Sequence, residues 1–273
     1  MTERNISLIV AYDGTDFSGW QRQGSDRSVQ EDIELALEKM HKHPVSLIGS
    51  GRTDVGVHAI GQVANFRTSI SSISAERFVP ALNGILERDI RILHAEEALP
   101  DFHARFDAKS RTYRYHIICG RPAMPHELRY AWQLWRQPNI RRLNAYARLL
   151  LGETDCSLFA SSRDPSLSRH RYISQARFMV EGTTLIFEIS ANAFLWKMVR
   201  SIVGSFLYYE ERGLPVEAVK ELLCIGDHRA AGPTAPPEGL FLWKVDYYRG
   251  MLTKSRERGT EDGRNDARSL SDF

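Results

Sequence analysis

The chain has 273 residues, 42% of them hydrophobic, which is length enough for two domains of about 100–200 residues and a substantial core. A formal charge of only +2 excludes a uniformly polybasic nucleic-acid binder, so any RNA site must be a local concentration of Lys and Arg. Cys119, Cys156 and Cys224 are too scattered for a disulfide framework or a zinc site, and no window approaches the ~18 apolar residues of a membrane span, so a cytoplasmic protein without metal or cofactor is expected.

Residues 6–12 are apolar in both alternating sets, as in a strand covered on both faces, and end at Asp13-Gly14. Ser28-Val29-Gln30-Glu31 reads as a capping box, and Val29, Ile33, Ala36, Leu37 and Met40 then recur at helical spacing to about His41. Strands are expected at 45–48 and 62–67, then a helix from Ser74 carrying Phe78, Leu82 and Ile85, with Pro80 in its first turn or at a kink, and a strand at 89–93. This order is the ferredoxin-like, split βαβ pattern. The second half repeats it with different residues: a strand at 111–119, a helix at 139–151 ended by Gly152, strands near 171–180 and 184–190, a helix at 194–210 and a strand at 240–248. An insertion at 120–138 and an extra helix at 215–223 depart from the repeat. The expectation is an α+β fold of two similar halves, 1–106 and 107–249, forming one mostly antiparallel central sheet with helices on one side and a cleft between the halves. The charged segment 250–273 has almost nothing apolar to bury and is expected to be disordered.

The stretch Gly49-Ser50-Gly51-Arg52-Thr53-Asp54-Val55-Gly56-Val57-His58-Ala59 lies between two expected strands and presents one aspartate on a sharply turning backbone. Asp54 is the catalytic candidate; an aspartate in such a turn also serves simply to bind nearby backbone N–H groups. Gly49-x-Gly51 imitates the opening of a dinucleotide fingerprint, but Asp54 stands where the third glycine belongs, and its charge would repel a pyrophosphate. Arg105, Lys109, Arg111 and Arg114, with His103 and His116, face only Asp107 and form the local basic concentration. Arg200 sits on a helix that is apolar nearly all round and therefore needs a carboxylate partner. His58 and His103 occur in no metal-binding spacing.

Residues 51–59, GRTDVGVHA, resemble the active-site signature of the tRNA pseudouridine synthase A family. Tyr12-Asp13-Gly14 through Gly19-Trp20-Gln21-Arg22-Gln23, Phe102-His103-Ala104-Arg105-Phe106 with Arg111 and Tyr113, and Ala191-Asn192-Ala193-Phe194-Leu195 running into Met198-Val199-Arg200 are similar to its other blocks, over roughly 5–248. The resemblance implies isomerisation of uridine to pseudouridine at positions 38, 39 and 40 in the anticodon arm of tRNA, by a homodimer using neither metal nor cofactor. It assigns Asp54 as nucleophile or base, Arg200 as its partner, Tyr113 as the ring beside the uracil and Arg52 as a nucleotide-opening or phosphate contact. Trp20, Gln21, Gln23, His58, Arg105 and Arg111 are expected as weaker RNA contacts. The same residues would suit a non-catalytic RNA-binding module, and a glycoside hydrolase would need a second carboxylate, for which Asp13 and Asp16 are available.

Overall fold

The computed structural model describes residues 3–24 and 26–248; the charged tail at 250–273 lies outside the described residues. The first half runs β1 (Arg4–Tyr12), α1 (Val29–His41), β2 (Leu47–Gly49), β3 (His58–Thr68), α2 (Phe78–Asn83) and β4 (Ile90–Ala98), in the expected order. The second runs β5 (Ala108–Cys119), β6 (Trp132–Leu134), α3 (Ile140–Arg148), β7 (Gly152–Asp155), β8 (His170–Glu181), β9 (Thr184–Ala191), α4 (Met198–Glu211), α5 (Val216–Ile225) and β10 (Leu240–Tyr247).

All strands join one sheet of order β4-β1-β3-β10-β5-β9-β8-β7, with β2 added to β3 and β6 to β5. Pairing is antiparallel except at β3–β10 and β5–β6. β1 is paired on both edges, and its Ile6, Leu8 and Val10 are fully buried, as its double-sided apolar pattern requires. Each buried side chain of this size stabilises the fold by about 1.5–3 kcal/mol. β5 is the counterpart of β1, flanked by β9 and β10 as β1 is by β3 and β4.

Several boundaries differ from expectation for identifiable reasons. α4 begins at Met198, not 194, because Lys197 adopts φ +62 and interrupts the helical run. Ser74 opens a 3₁₀ turn, Ala75–Arg77, and α2 follows with Pro80 in its first turn, where a missing N–H is harmless. Only half of the capping box forms: Ser28 Oγ accepts the Glu31 N–H at 3.4 Å, while the Glu31 carboxylate pairs with Arg22 at 3.3 Å. β6 and β7 were not anticipated, since three residues of an insertion and the polar Gly152–Asp155 carry no period-two apolar signal.

The two halves meet along one edge of β3. Its start pairs with β10, Phe241 opposite His58 and Leu242 opposite Ala59, whereas further along the same strand Ala64 to Phe66 pair with β2. At Gly61, where the two partners diverge, a Cβ would lie 2.4 Å from the Trp243 carbonyl oxygen, so only glycine lets the backbones approach. Three rings cover the joint: His58 stacks on Phe241 at 4.7 Å, and His116 of β5 lies 4.8 Å from the same Phe241 ring. The insertion closes over them, with Tyr130 5.3 Å from His58 and Arg129 bonded to Asp13 at 2.6 Å and Asp16 at 2.9 Å.

Burial, reinforced by the charge of Arg114 and by His58, pulls the His116 pKa down to about 4 from the ordinary 6.5. The unfolded chain therefore takes up a proton between pH 6.5 and 4 that the fold refuses, and stability falls as pH falls through that window, by up to about 3 kcal/mol from this group. The urea midpoint should drop over this range, and His116→Phe should flatten the drop.

Candidate active site

The β2–β3 loop is bolted down before its aspartate is reached. Ser50 donates its N–H to the Val63 carbonyl at 2.8 Å and its hydroxyl to Gln62 Oε1 at 2.6 Å, and Gln62 Nε2 returns a bond to the Gly51 carbonyl at 3.0 Å. Ser50 and Gln62 are buried, so these bonds are shielded from water. Thr53 Oγ1 is 2.8 Å from the hydroxyl of Tyr12, a phenol whose pKa burial pushes far up. The Thr53 carbonyl accepts the Trp20 N–H at 3.2 Å, and Gly19, at φ +105, passes so close that a Cβ would sit 2.5 Å from that oxygen. Past Asp54, the Val57 N–H closes a turn onto the Asp54 carbonyl at 3.2 Å. The carboxylate thus stands on a main chain held from both sides.

Its two oxygens are taken by the other half of the chain. Oδ2 accepts from Arg200 Nη1 at 3.2 Å, and Oδ1 accepts the indole N–H of Trp196 at 2.8 Å. Arg200 is 13% exposed and Asp54 20%. The guanidinium is itself anchored, its Nε donating to the Ala235 carbonyl at 2.8 Å while the Ala235 N–H donates to the Arg200 carbonyl at 3.1 Å. One turn along α4, Gly204 lies against the same strap: a Cβ there would be 1.8 Å from the Pro233 oxygen. Tyr113, on β5, is 8% exposed with Phe194 edge-on to its ring at 4.9 Å. Burial, partly offset by the Arg111 charge and helped by that of Asp54, lifts its phenol to about 12, so it stays neutral at physiological pH.

The remaining predicted residues separate into two groups. Arg52 and Arg105 are exposed, Arg105 lying 5.8 Å from the Phe106 ring centre, and Gln23 is exposed while Gln21 is half-buried. Trp20, by contrast, is 3% exposed and packs beneath Gly49 and against Tyr12. His58 is fully buried and its Nδ1 accepts the Gly14 N–H at 3.0 Å. Arg111 spends its guanidinium on four carbonyls, those of Ala108, Asn192, Ser50 and Arg105, at 3.2, 2.8, 2.9 and 2.7 Å. It ties the Asp54 loop, the connection between the halves and the turn before α4 to one point. Arg114 is likewise occupied, by Glu188 at 2.7 Å. The basic concentration in the sequence is therefore partly consumed inside the fold.

Asp13 and Asp16 are held by Arg129; burial raises the Asp13 carboxyl, but hydrogen bonds from Thr15, Tyr130 and Arg129 outweigh it and hold the group at about 2. Among the described residues, no cluster of three or more His, Cys, Asp or Glu side chains could hold a metal. No described helix is long and apolar enough to cross a membrane. Two residues of the site were missed from the sequence. Trp196 stands before the helix, beyond left-handed Lys197, and no spacing in the sequence announces it; Gln62 was read only as the start of a strand, and a polar residue in so apolar a run was the signal.

A family profile described as tRNA pseudouridine synthase matches residues 8–107 and 146–248. The chain is 51% identical to the tRNA pseudouridine synthase A of Treponema denticola, over 92% of this chain and 95% of that protein. It is 48% identical to the protein of the same name from Treponema pallidum, over 84% of each, and 40% identical to that of Brachyspira hyodysenteriae, over 87% of this chain and 96% of that one.

The different fates of the two arginines can be checked by denaturant unfolding. Arg111→Met, which strands four carbonyls, should cost about 2–4 kcal/mol, whereas Arg52→Met, whose side chain has no partner among the described residues, should stay within about 0.5 kcal/mol.

Proposed function

The chain belongs to the tRNA pseudouridine synthase family, and on that premise we propose that it isomerises uridines at positions 38, 39 and 40 in the anticodon arm of tRNA, with Asp54 as the nucleophile or base. The observation that carries this reading is the Asp54 carboxylate, ionically paired by Arg200 at 3.2 Å and set beside the neutral phenol of Tyr113 at the meeting of the two halves.

Pseudouridine formation breaks the N1–C1′ bond, turns the uracil over while it is held, and joins C5 to C1′; the hydrogen on C5 leaves as a proton and N1 gains one. Atoms and electrons balance without an oxidant, so the chemistry asks for a carboxylate, an extruded nucleotide and a retaining pocket. Arg200 orients the Asp54 carboxylate through a charged hydrogen bond. Tyr113 offers a flat apolar face to the freed uracil, a contact worth about 1–3 kcal/mol in comparable single-strand binding. The exposed Arg52 and Arg105 flank the loop and suit phosphate contacts. The family resemblance supports a homodimer in which one tRNA touches both subunits; a strict monomer by mass in solution at working concentration would refute that part.

Tritium release from tRNA carrying [5-³H]uridine, with no added metal, tests the reaction. The intact protein should release the label, and Asp54→Asn should release it more than about a thousandfold more slowly while binding tRNA as before. Arg200→Gln should lower kcat about a hundredfold with a smaller effect on affinity. Tight binding without release by the intact protein would instead identify a non-catalytic RNA-binding module.

A further inference from the structure

Trp196 belongs to the short segment that connects β9 to α4, and that segment lies over both groups the reaction needs. Phe194 stands edge-on to Tyr113 at 4.9 Å, and the Trp196 indole donates to Asp54 Oδ1 at 2.8 Å. The start of the segment is fixed: Asn192 exchanges bonds with Tyr172 and its carbonyl is held by Arg111. Leu195, between the two aromatic residues, is buried.

We propose that Trp196 stands in for the substrate in this structure: its indole N–H holds Asp54 Oδ1, and the incoming uridine displaces it. The inference rests on the reading of Asp54 as the catalytic carboxylate. Trp196 on Oδ1 and Phe194 against Tyr113 place this segment beside both the carboxylate and the phenol ring, so a nucleotide that engages the two meets the Trp196 indole. Arg200 is the partner that stays, because Ala235 anchors it on both its guanidinium and its backbone. Trp196 is the partner that can leave. Asp164 and Ser161 hold its backbone, the Trp196 N–H donating to Asp164 Oδ2 and its carbonyl accepting the Ser161 N–H, but the residue is 39% exposed and its indole makes one hydrogen bond, to Asp54, with the Lys197 ammonium 5.1 Å from the ring centre, so the side chain can swing away while the main chain stays. A ribose hydroxyl or uracil N–H is a donor of the same kind, so the exchange leaves no carboxylate oxygen unsatisfied. The displaced indole then borders the entering base, where stacking is favourable.

The test uses the full chain labelled with 5-fluorotryptophan, in which Trp196→Phe assigns one of five indole resonances. On saturation with an unmodified tRNA transcript the Trp196 fluorine signal should shift. In unlabelled protein, Trp196→Phe keeps a ring but loses the competing donor, and should raise kcat/KM about three- to tenfold. A signal unmoved at saturation, or a kcat/KM that stays or falls in Trp196→Phe, overturns the proposal. Failure of the underlying reading would show separately, as full turnover by Asp54→Asn.

Discussion

The Asp54–Arg200 pair is the constraint on which the rest of the molecule depends. It joins residues 146 positions apart, one on a loop of the first half and one on a helix of the second. Taking both charges largely out of water cancels much of their attraction, so the pair contributes less net stability than geometric choice. Only one docking of α4 against the loop meets both charges. That docking also sets the strap 233–235 against Gly204 and brings Trp196 to the second carboxylate oxygen. The setting of Asp54 is thus a by-product of neither half; it exists only as their interface.

The interface is reinforced without placing another carboxylate beside Asp54. Arg111 gathers its loops through carbonyl oxygens, which carry no net charge and so do not compete for Arg200. A carboxylate-based clamp seals the joint between the halves on the opposite face of the sheet. Tyr113 and His116 differ by an odd number of residues on β5 and so face opposite ways, and it is on the His116 side that Asp13, Arg129 and the stack of His58 on Phe241 seal the joint.

What could be read beforehand follows the range of the interactions involved. The strand-helix order, the core of β1 and the turning loop that carries Asp54 were legible because each is encoded in neighbouring residues: period-two or helical spacing, a cap, a glycine-broken turn. Arg200 was legible for a different reason, since an arginine amid Met198, Val199, Ile202 and Val203 must find a partner somewhere. The burial of Trp20 and His58, and the carbonyl clamp of Arg111, were not, because they depend on which distant backbone arrives overhead. A tryptophan in a motif looks the same in sequence whether it meets RNA or Gly49. The start of α4 turned on one left-handed residue, Lys197, a conformation that lysine rarely adopts and that nothing in its neighbours announces.

The place of β10 has a consequence for how the protein is made. The last strand, Leu240–Tyr247, does not add to an outer edge but enters the middle of the sheet, between β3 and β5. During synthesis the first half can assemble β1, β3 and β4 early, yet the edge of β3 beside the catalytic loop waits for a strand translated nearly 200 residues later. Until that strand leaves the ribosome, the start of β3 beside Asp54 lacks its neighbour, so the setting of the aspartate is completed only when synthesis nears the end of the described chain.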